Sequence, residues 1–240
     1  MSKILFVDVE SVPTSKDFHH DETGMLFEKR YAKDAMDRNV KIDILWDEKA
    51  SFHAEFGKAC CVSIGAQTAT KFQVKAIASR TEKEILLRLA DAIEKSQCQL
   101  LCAHNGLEFD FPFLMRRYII NGVPIPPILN PDGKKPWETP YIDTMKMWSG
   151  SAWNYKVSLD LLAHVLGIPS PKTDMDGSMV ADLYYGMFKD VQSDELPFSA
   201  EEAAIQKIGK YCNGDVVTLY KVYCKMKGIE AVSDENIVFA

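Results

Sequence analysis

The sequence has 240 residues, of which 47% are hydrophobic and 26% charged, and its formal net charge at pH 7 is −6. This composition is typical of a soluble globular protein and favours one large domain over 1–240 rather than two. The acidic balance argues against a broad basic face of the kind that binds duplex nucleic acid. The sequence contains no run of about 18 apolar residues, so no membrane span is expected.

The start of the chain and the cysteines indicate the compartment. The apolar stretch at residues 4–7 reaches an acid at once and does not resemble a signal peptide. The six cysteines form neither a CxxC pair nor a zinc-like spacing. We therefore expect reduced core cysteines in a cytoplasmic protein.

In chain order, strands and helices alternate in the first half and helices dominate the second. The predicted strands are 3–11, 60–70, 71–79, 98–106 and 141–148, of which the second and third should pair as a hairpin. A helix should begin at Thr81, where Thr81 and Glu84 have the spacing of a capping box. Further helices are predicted over 109–122, 158–167, 178–190 and 200–226.

Two polar segments interrupt this pattern. Residues 12–58 are an insertion with some helix around 25–40, and residues 123–140, which hold six prolines, form a long exposed loop. The order of elements predicts an α/β domain with a mixed sheet.

Two acids stand at the end of the first predicted strand. Asp8 and Glu10 flank Val9, so their side chains point to the same face. Neighbouring carboxylates repel each other unless a cation lies between them. The carboxyl end of a central strand is also where ligand sites of open α/β sheets gather. A strand end that simply reaches solvent is the alternative.

Other polar residues have ordinary structural alternatives. Asp110 stands at a helix start and could be its N-cap, while His104 and Asn105 could fill the preceding turn. Tyr211 and Asp215 are four apart and share a face only if the helix continues through 213–214. Four further acids are interpreted as structural or peripheral: Asp143, Asp160, Asp174 and Asp176. The sequence has no GxSxG, Walker or GxGxxG motif.

Three short motifs occur once each and in order: D-x-E at 8–10, N-x-x-x-F-D at 105–110 and Y-x-x-x-D at 211–215. Together they resemble the exonuclease motifs of the DEDD superfamily of 3′–5′ exonucleases. Tyr211 matches the DEDDy branch, since the sister branch would have a His where Lys210 stands. The segments HNGLEFDFPFLMRR, SLDLLAHVLGIPSPK and DMDGSMV are similar to the exonuclease domains of family-B DNA polymerases and their stand-alone bacterial relatives. The likeness spans about 3–225.

The resemblance implies a ribonuclease H-like α/β fold, with a central mixed sheet flanked by helices. It implies that Asp8, Glu10, Asp110 and Asp215 hold two divalent metal ions, Mg²⁺ or Mn²⁺, which suit oxygen ligands. Tyr211 would orient the attacking water. The expected activity is hydrolysis from the 3′ end of single-stranded or frayed DNA, releasing nucleoside 5′-monophosphates.

The resemblance also suggests substrate contacts. Asn105 would bind the terminal sugar or phosphate, and the other predicted substrate-binding residues are Val9, Ser11, His104, Phe109, Arg116 and Lys172, with Lys134 and Lys135 as further phosphate contacts. Two alternatives remain open at this point. The chain could be an exoribonuclease of the RNase D type, or a module of the same fold that only binds nucleic acid.

Overall fold

The computed structural model describes residues 3–152, 154–169, 175–186 and 199–240. The strands are β1 (Ile4–Pro13), β2 (Gly57–Gln67), β3 (Phe72–Ala78), β4 (Leu100–Ala103), β5 (Tyr141–Asp143) and β6 (Ile237–Phe239). The α-helices of these ranges are α1 (Glu22–Arg38), α2 (Ile42–Lys49), α3 (Glu82–Ser96), α4 (Asp110–Ile120), α5 (Thr144–Ser149), α6 (Leu159–Val165), α7 (Met179–Tyr184) and α8 (Ala200–Lys227). In these ranges no helix is both long and apolar enough to cross a bilayer.

All six strands form one mixed sheet in the order β5-β4-β1-β2-β3-β6. Strand β1 is central and runs parallel to β4, which in turn runs parallel to β5. On its other side β1 pairs antiparallel with β2, and β2 with β3, as predicted for the hairpin. The predicted α/β class with a mixed sheet is confirmed.

Helices pack on both faces of the sheet, because successive apolar side chains of β1 point to opposite faces. Leu5, Val7 and Val9 belong to the hydrophobic cluster that includes residues of α3 and α4. Phe6 belongs to a second cluster, formed with residues of α8. Successive side chains of a strand point to opposite faces, so Asp8 and Glu10 share the α8 face with Phe6.

The insertion at 12–58 folds into α1, α2 and a single 3₁₀ turn, which extends the helix expected around 25–40. An aromatic cluster of its own holds these elements together. Phe27, Leu45 and Trp46 are fully or almost fully buried in it, and Phe56 joins them from the segment that leads into β2. The insertion is therefore a packed unit rather than a bare loop.

Several boundaries differ from the sequence-based prediction. Only Tyr141–Asp143 of the predicted strand 141–148 is extended, because Asp143 caps α5 directly after it. Helix α8 is continuous through 213–214. There the hydroxyl of Ser63, a residue of β2, donates a hydrogen bond to the Asn213 side chain. The predicted capping box at Thr81 is wrong, because Thr81 makes no side-chain cap and Glu84 accepts from Ser79 instead. Helix α7 ends at Tyr184, and 187–190 lie outside the described residues. Strand β6 was not predicted.

Candidate active site

Polar residues gather where β4 and β5 end beside the middle of β1, which continues beyond them to Pro13. Strands β1, β4 and β5 are parallel, with Phe6 beside Cys102 and Ala103 beside Asp143. The turn that follows β4 at 104–109 therefore lies level with Asp8. This edge of the sheet carries the D-x-E pair of β1, the turn before α4 and the end of β5.

Asp8 and Glu10 form a compact group with Cys212 of α8. The two carboxylates and the Cys212 sulfur offer ligand atoms within 4.8 Å of one another. The Cys212 thiol lies 3.3 Å from Asp8 Oδ2 and 3.5 Å from the Asp8 carbonyl oxygen, so it donates towards the carboxylate. No sequence motif pointed to Cys212. Its position one turn before Val216 on the sheet-facing side of α8 is the only signal that could have found it.

Strand β1 has an irregularity directly after the second of its two acids. The register with β2 shifts between Glu10, which pairs with Cys61, and Ser11, which pairs with Ala59. Such bulges bend a strand and re-aim side chains, and they are common beside active sites. Beyond the shift, the Ser11 hydroxyl donates to the Ser51 carbonyl at 2.8 Å, which ties β1 to the insertion.

Asp110 is the first residue of α4, and the N-cap is Phe109, which makes no side-chain cap. The N-cap alternative for Asp110 is therefore wrong. The Asp110 side chain is buried at 3% exposure and is held by hydrogen bonds from its own backbone and that of Val9. These bonds link the start of α4 directly to β1.

Tyr211 and Asp215 lie on the same face of the continuous helix α8, and their side chains are hydrogen-bonded to each other. The Tyr211 hydroxyl also lies under the segment before α7, 3.7 Å from the position that a Cβ on Gly177 would occupy. Helix α8 thus presents a phenol and a carboxylate towards the edge that carries Asp8 and Glu10.

Electrostatics connect the four acids. Burial raises the pKa of Asp8 to about 6, and a hydrogen bond from Cys212 opposes the rise. Burial, followed by the charge of Asp8, raises the pKa of Asp215 to about 8. Burial raises the pKa of Glu10 strongly, with added repulsion from Asp8, Asp215 and Asp110, and burial together with Asp8 does the same for Asp110. The four carboxylates therefore lie close enough to disfavour one another's ionisation.

The pKa of Tyr211 is raised too, first by burial and then by the charges of Asp215 and Glu10. Its hydroxyl is consequently protonated at neutral pH. It can donate to or accept a hydrogen bond from a water molecule, but it is a poor general base.

The turn 104–109 is organised by Asp143. Asp143 Oδ1 accepts from the backbone N–H groups of Asn105, Met145 and Lys146, at 3.0, 2.9 and 3.2 Å. Its Oδ2 accepts from the Leu107 N–H at 3.1 Å. The interpretation of Asp143 as structural is thus consistent with its contacts, and the residue positions the turn that carries Asn105.

Asn105 has two unusual features. Its φ of 64° lies in the left-handed region, which Asn tolerates better than most residues. Its Oδ1 is the one buried side-chain oxygen or nitrogen that lacks a hydrogen-bond partner in the part of the chain the structure describes. A buried acceptor without a partner is costly in a folded protein. A ligand hydroxyl or amine would supply the missing donor.

The other predicted substrate contacts are placed unevenly. Both ring nitrogens of His104 are engaged, with Thr144 Oγ1 at 2.9 Å and the Val157 carbonyl at 2.8 Å, so a substrate contact would displace one of them. Phe109 is half-buried beside Phe113, and Arg116 is exposed on α4. The prediction for Lys172 lies outside the described residues.

Lys134 and Lys135 are exposed in the loop before β5. Lys134 Nζ donates to the Asn130 carbonyl at 3.2 Å, and Lys135 Nζ lies 5.4 Å from the centre of the Trp137 ring. Neither contact involves the acidic edge, so their role in phosphate binding stays a prediction.

The donor set suits a hard divalent cation. Buried acids that raise one another's pKa values are relieved by a cation among them, and carboxylate oxygen is the ligand that Mg²⁺ and Mn²⁺ prefer. Asp8 and Glu10 lie in the compact group, while Asp110 of α4 and Asp215 of α8 stand outside it and are linked to it by the repulsion that Asp8 exerts on both. The residues present therefore fit a divalent metal centre.

A mixed sheet with this acidic edge defines an exonuclease-like α/β domain of the ribonuclease H type. The chain belongs to the family described as predicted 3′–5′ exonucleases related to the exonuclease domain of PolB, whose model matches residues 51–237. That range contains Asn105, Asp110, Tyr211 and Asp215 but not the D-x-E pair of β1. The chain is thus an exonuclease by family, related to the exonuclease domain of PolB.

A solved structure shares the fold. The family B DNA polymerase from the hyperthermophilic archaeon Pyrobaculum calidifontis is similar with a TM-score of 0.54 and 12% sequence identity. The likeness covers 92% of this chain and 24% of the polymerase, so this chain spans about a quarter of the larger protein. No curated protein sequence matches the chain.

Proposed function

We propose that this protein removes nucleotides one at a time from the 3′ end of single-stranded or frayed DNA and releases nucleoside 5′-monophosphates. The observation that carries the proposal is the mutual repulsion of Asp8, Glu10, Asp110 and Asp215 beside the Tyr211 hydroxyl. Acids gathered in this way serve metal-dependent phosphodiester chemistry better than they serve stability.

Asp8, Glu10 and Asp215 would hold one divalent ion, with Asp8 and Asp110 contributing to a second. When bound, a pair of such ions supplies the positive charge that stabilises the attacking and leaving oxygens of a phosphodiester. The Cys212 thiol holds the Asp8 carboxylate in place through its hydrogen bond.

Tyr211 and Asn105 would position the reactants. The protonated Tyr211 hydroxyl, itself fixed by Asp215, offers a hydrogen bond to the water that attacks the terminal phosphate. The unpaired Oδ1 of Asn105 is an acceptor, and a sugar hydroxyl of the terminal nucleotide is a donor of the right kind. The backbone of Val9 and Ser11 and the ring of Phe109 would line the terminal nucleotide.

Single-stranded ends suit the charge of the chain. With a net charge of −6, the protein lacks the excess of cations that a long duplex track requires. Stacking of bases on aromatic side chains contributes about 1–3 kcal/mol per base without sequence readout. We therefore expect little sequence preference.

The proposal is tested with 5′-labelled DNA oligonucleotides and Mg²⁺ or Mn²⁺. Wild-type protein should produce a ladder shortened from the 3′ end and nucleoside monophosphates, whereas Asp8→Ala or Asp215→Ala should lose at least about 100-fold in rate. Asp91→Ala is the matched control, because Asp91 is an exposed acid of α3 paired with Lys95. Wild-type protein that degrades neither DNA nor RNA in either metal would contradict the proposal.

The same assay with RNA of matched sequence separates the two nuclease alternatives. Faster degradation of RNA would indicate that the protein is an exoribonuclease that uses the same mechanism. Oligonucleotide binding that is unchanged by EDTA, without any product, would favour a module that only binds nucleic acid.

A further inference from the structure

The inserted segment 12–58 reaches the edge of the candidate active site. The Ser11–Ser51 hydrogen bond of 2.8 Å joins the residue after Glu10 to the residue before Phe52. The ring of Phe52 lies 5.9 Å from that of Phe109 in an edge-to-face arrangement. Phe109 in turn precedes Asp110. An aromatic side chain of the insertion is thus a direct neighbour of the residue expected to line the terminal nucleotide.

Phe52 does not belong to the core of the insertion. Its side chain is 62% exposed, whereas Phe27, Trp46 and Phe56 are buried together in the aromatic cluster. Phe52 packs edge-to-face on the half-buried Phe109 ring and leaves a flat apolar face open to water. Such a face is suited to a nucleobase.

Cationic side chains surround the same corner of the insertion. Arg30 lies 5.7 Å and Lys49 5.4 Å from the centre of the Tyr31 ring. Tyr31 is hydrogen-bonded to His53, the residue after Phe52. The charge of Arg116, a residue of α4, contributes to lowering the pKa of the same histidine.

Two acids accompany these cations. Asp34 pairs with Lys49 at 3.1 Å, and the charge of Glu55 also acts on His53. Around His53 the charges of Arg30, Lys49 and Arg116 therefore outnumber those of Glu55 and of Asp34, the partner of Lys49. This local balance suits a polyanion.

We propose that Phe52, with Arg30, Lys49 and Arg116, forms a binding surface for single-stranded nucleic acid upstream of the terminal nucleotide. A base would stack on Phe52 while the cations approach the phosphates that follow. The inference rests on the proposed exonuclease function for the direction of the strand, and it gives the insertion a role in substrate binding.

Binding and cleavage are measured separately. Fluorescence anisotropy with 5′-fluorescein-labelled dT20 in EDTA reports binding without turnover. Hydrolysis of thymidine 5′-monophosphate p-nitrophenyl ester with Mn²⁺ reports chemistry on a substrate that has one nucleoside and cannot reach Phe52. Phe52→Ala should weaken dT20 binding about tenfold, since loss of one stacked base amounts to about 1.4 kcal/mol. Its effect on hydrolysis of the ester should be smaller than its effect on dT20 binding.

Matched variants control for general effects. Phe239→Ala removes a phenylalanine of the same 62% exposure from the far edge of the sheet and should bind dT20 like wild type. Phe52→Trp should retain binding. Lys49→Ala or Arg30→Ala should flatten the dependence of log Kd on log salt by about 0.7 for each phosphate contact removed.

The outcomes distinguish the two proposals. Equal dT20 binding by wild type and Phe52→Ala, or no dT20 binding by wild type, would overturn the binding surface. Weakened binding by Phe52→Ala in a protein that hydrolyses neither substrate would support the surface and overturn the exonuclease activity.

Discussion

The Cys212 thiol donates a hydrogen bond to Asp8 Oδ2 at 3.3 Å, and so a buried cysteine of α8 supports the ionised form of a carboxylate on the central strand. Among the described residues, these two and Glu10 make up the compact group of potential metal ligands. The contact spans 204 positions of sequence and joins the first motif to the third.

Replacing this thiol should move the pH profile of the enzyme. Cys212→Ala removes the hydrogen bond that lowers the pKa of Asp8, so the acidic limb of the rate against pH should shift to higher pH. Cys224→Ala removes another buried cysteine of the same helix and controls for lost packing. An unshifted profile in Cys212→Ala would show that the thiol does not act on Asp8.

Asp143 should matter for stability and activity together. Asp143→Ala leaves four N–H groups without their acceptor, one of them buried and three partly buried, and each unsatisfied buried donor costs about 1–3 kcal/mol. We expect a loss of at least about 3 kcal/mol in the free energy of unfolding, measured in urea. Asp143→Asn keeps one side-chain oxygen and should lose less. Equal stability of Asp143→Ala and wild type would contradict the role of this carboxylate in holding the turn at Asn105.

Adjacent arginines of α4 should behave differently. Arg117 forms a buried ion pair with Glu82, in which both side chains are 7% exposed, and also donates to the Ala54 carbonyl at 2.6 Å. Arg117→Met leaves the Glu82 charge buried and should cost about 3–5 kcal/mol of unfolding free energy. Arg116→Met, at an exposed position, should change stability by less than about 0.5 kcal/mol and weaken oligonucleotide binding instead. The reverse order of stabilities in urea would refute this assignment.

Stability of the metal-free protein should fall as pH rises. The pKa values of Asp8 and Asp215 are raised to about 6 and about 8, above the value of about 3.9 expected in an unfolded chain. Between about pH 4 and pH 8 the folded protein therefore binds more protons than the unfolded chain, and its unfolding free energy decreases through this window. In EDTA, the Tm should be higher at pH 5.5 than at pH 8.

Divalent metal should reverse this trend, because it binds the ionised acids and adds stability mainly at pH 8. Asp215→Asn removes one of the repelling charges, so it should raise the Tm in EDTA at pH 8 and reduce the gain from Mg²⁺. Asp91→Asn, at an exposed acid, is the control. A metal-free protein that becomes more stable towards pH 8 would contradict the repulsion among these carboxylates.

The sequence predicted the α/β class, the hairpin and most helices, because those follow from local periodicity. Helix α2 was missed, and α5 lies in a segment predicted as a strand. The sequence allowed a break in α8 at Asn213 and Gly214. The hydrogen bond from Ser63 that anchors Asn213 comes from a distant strand, so the local sequence does not reveal it. The short strand β6 was missed for a similar reason, since pairing with β3 rather than its own three residues makes it extended.

For the site, the three motifs identified the four acids and Tyr211 as candidates, because their spacing follows from strand and helix geometry. Cys212, Asp143 and Phe52 carried no such signal. Their roles depend on tertiary neighbours, which are Asp8, the Asn105 turn and Phe109. Local sequence patterns contain no information on contacts of this kind.

Asp8, Glu10, Asp110 and Asp215 should together hold divalent metal. Anomalous scattering from crystals soaked in Mn²⁺ locates the bound ions. We expect anomalous peaks with carboxylate oxygens of these four residues as ligands, at about 2.0–2.3 Å, and loss of the peaks in Asp8→Asn crystals. Mn²⁺ absent from this edge at saturating concentration, or bound only elsewhere on the molecule, would contradict it.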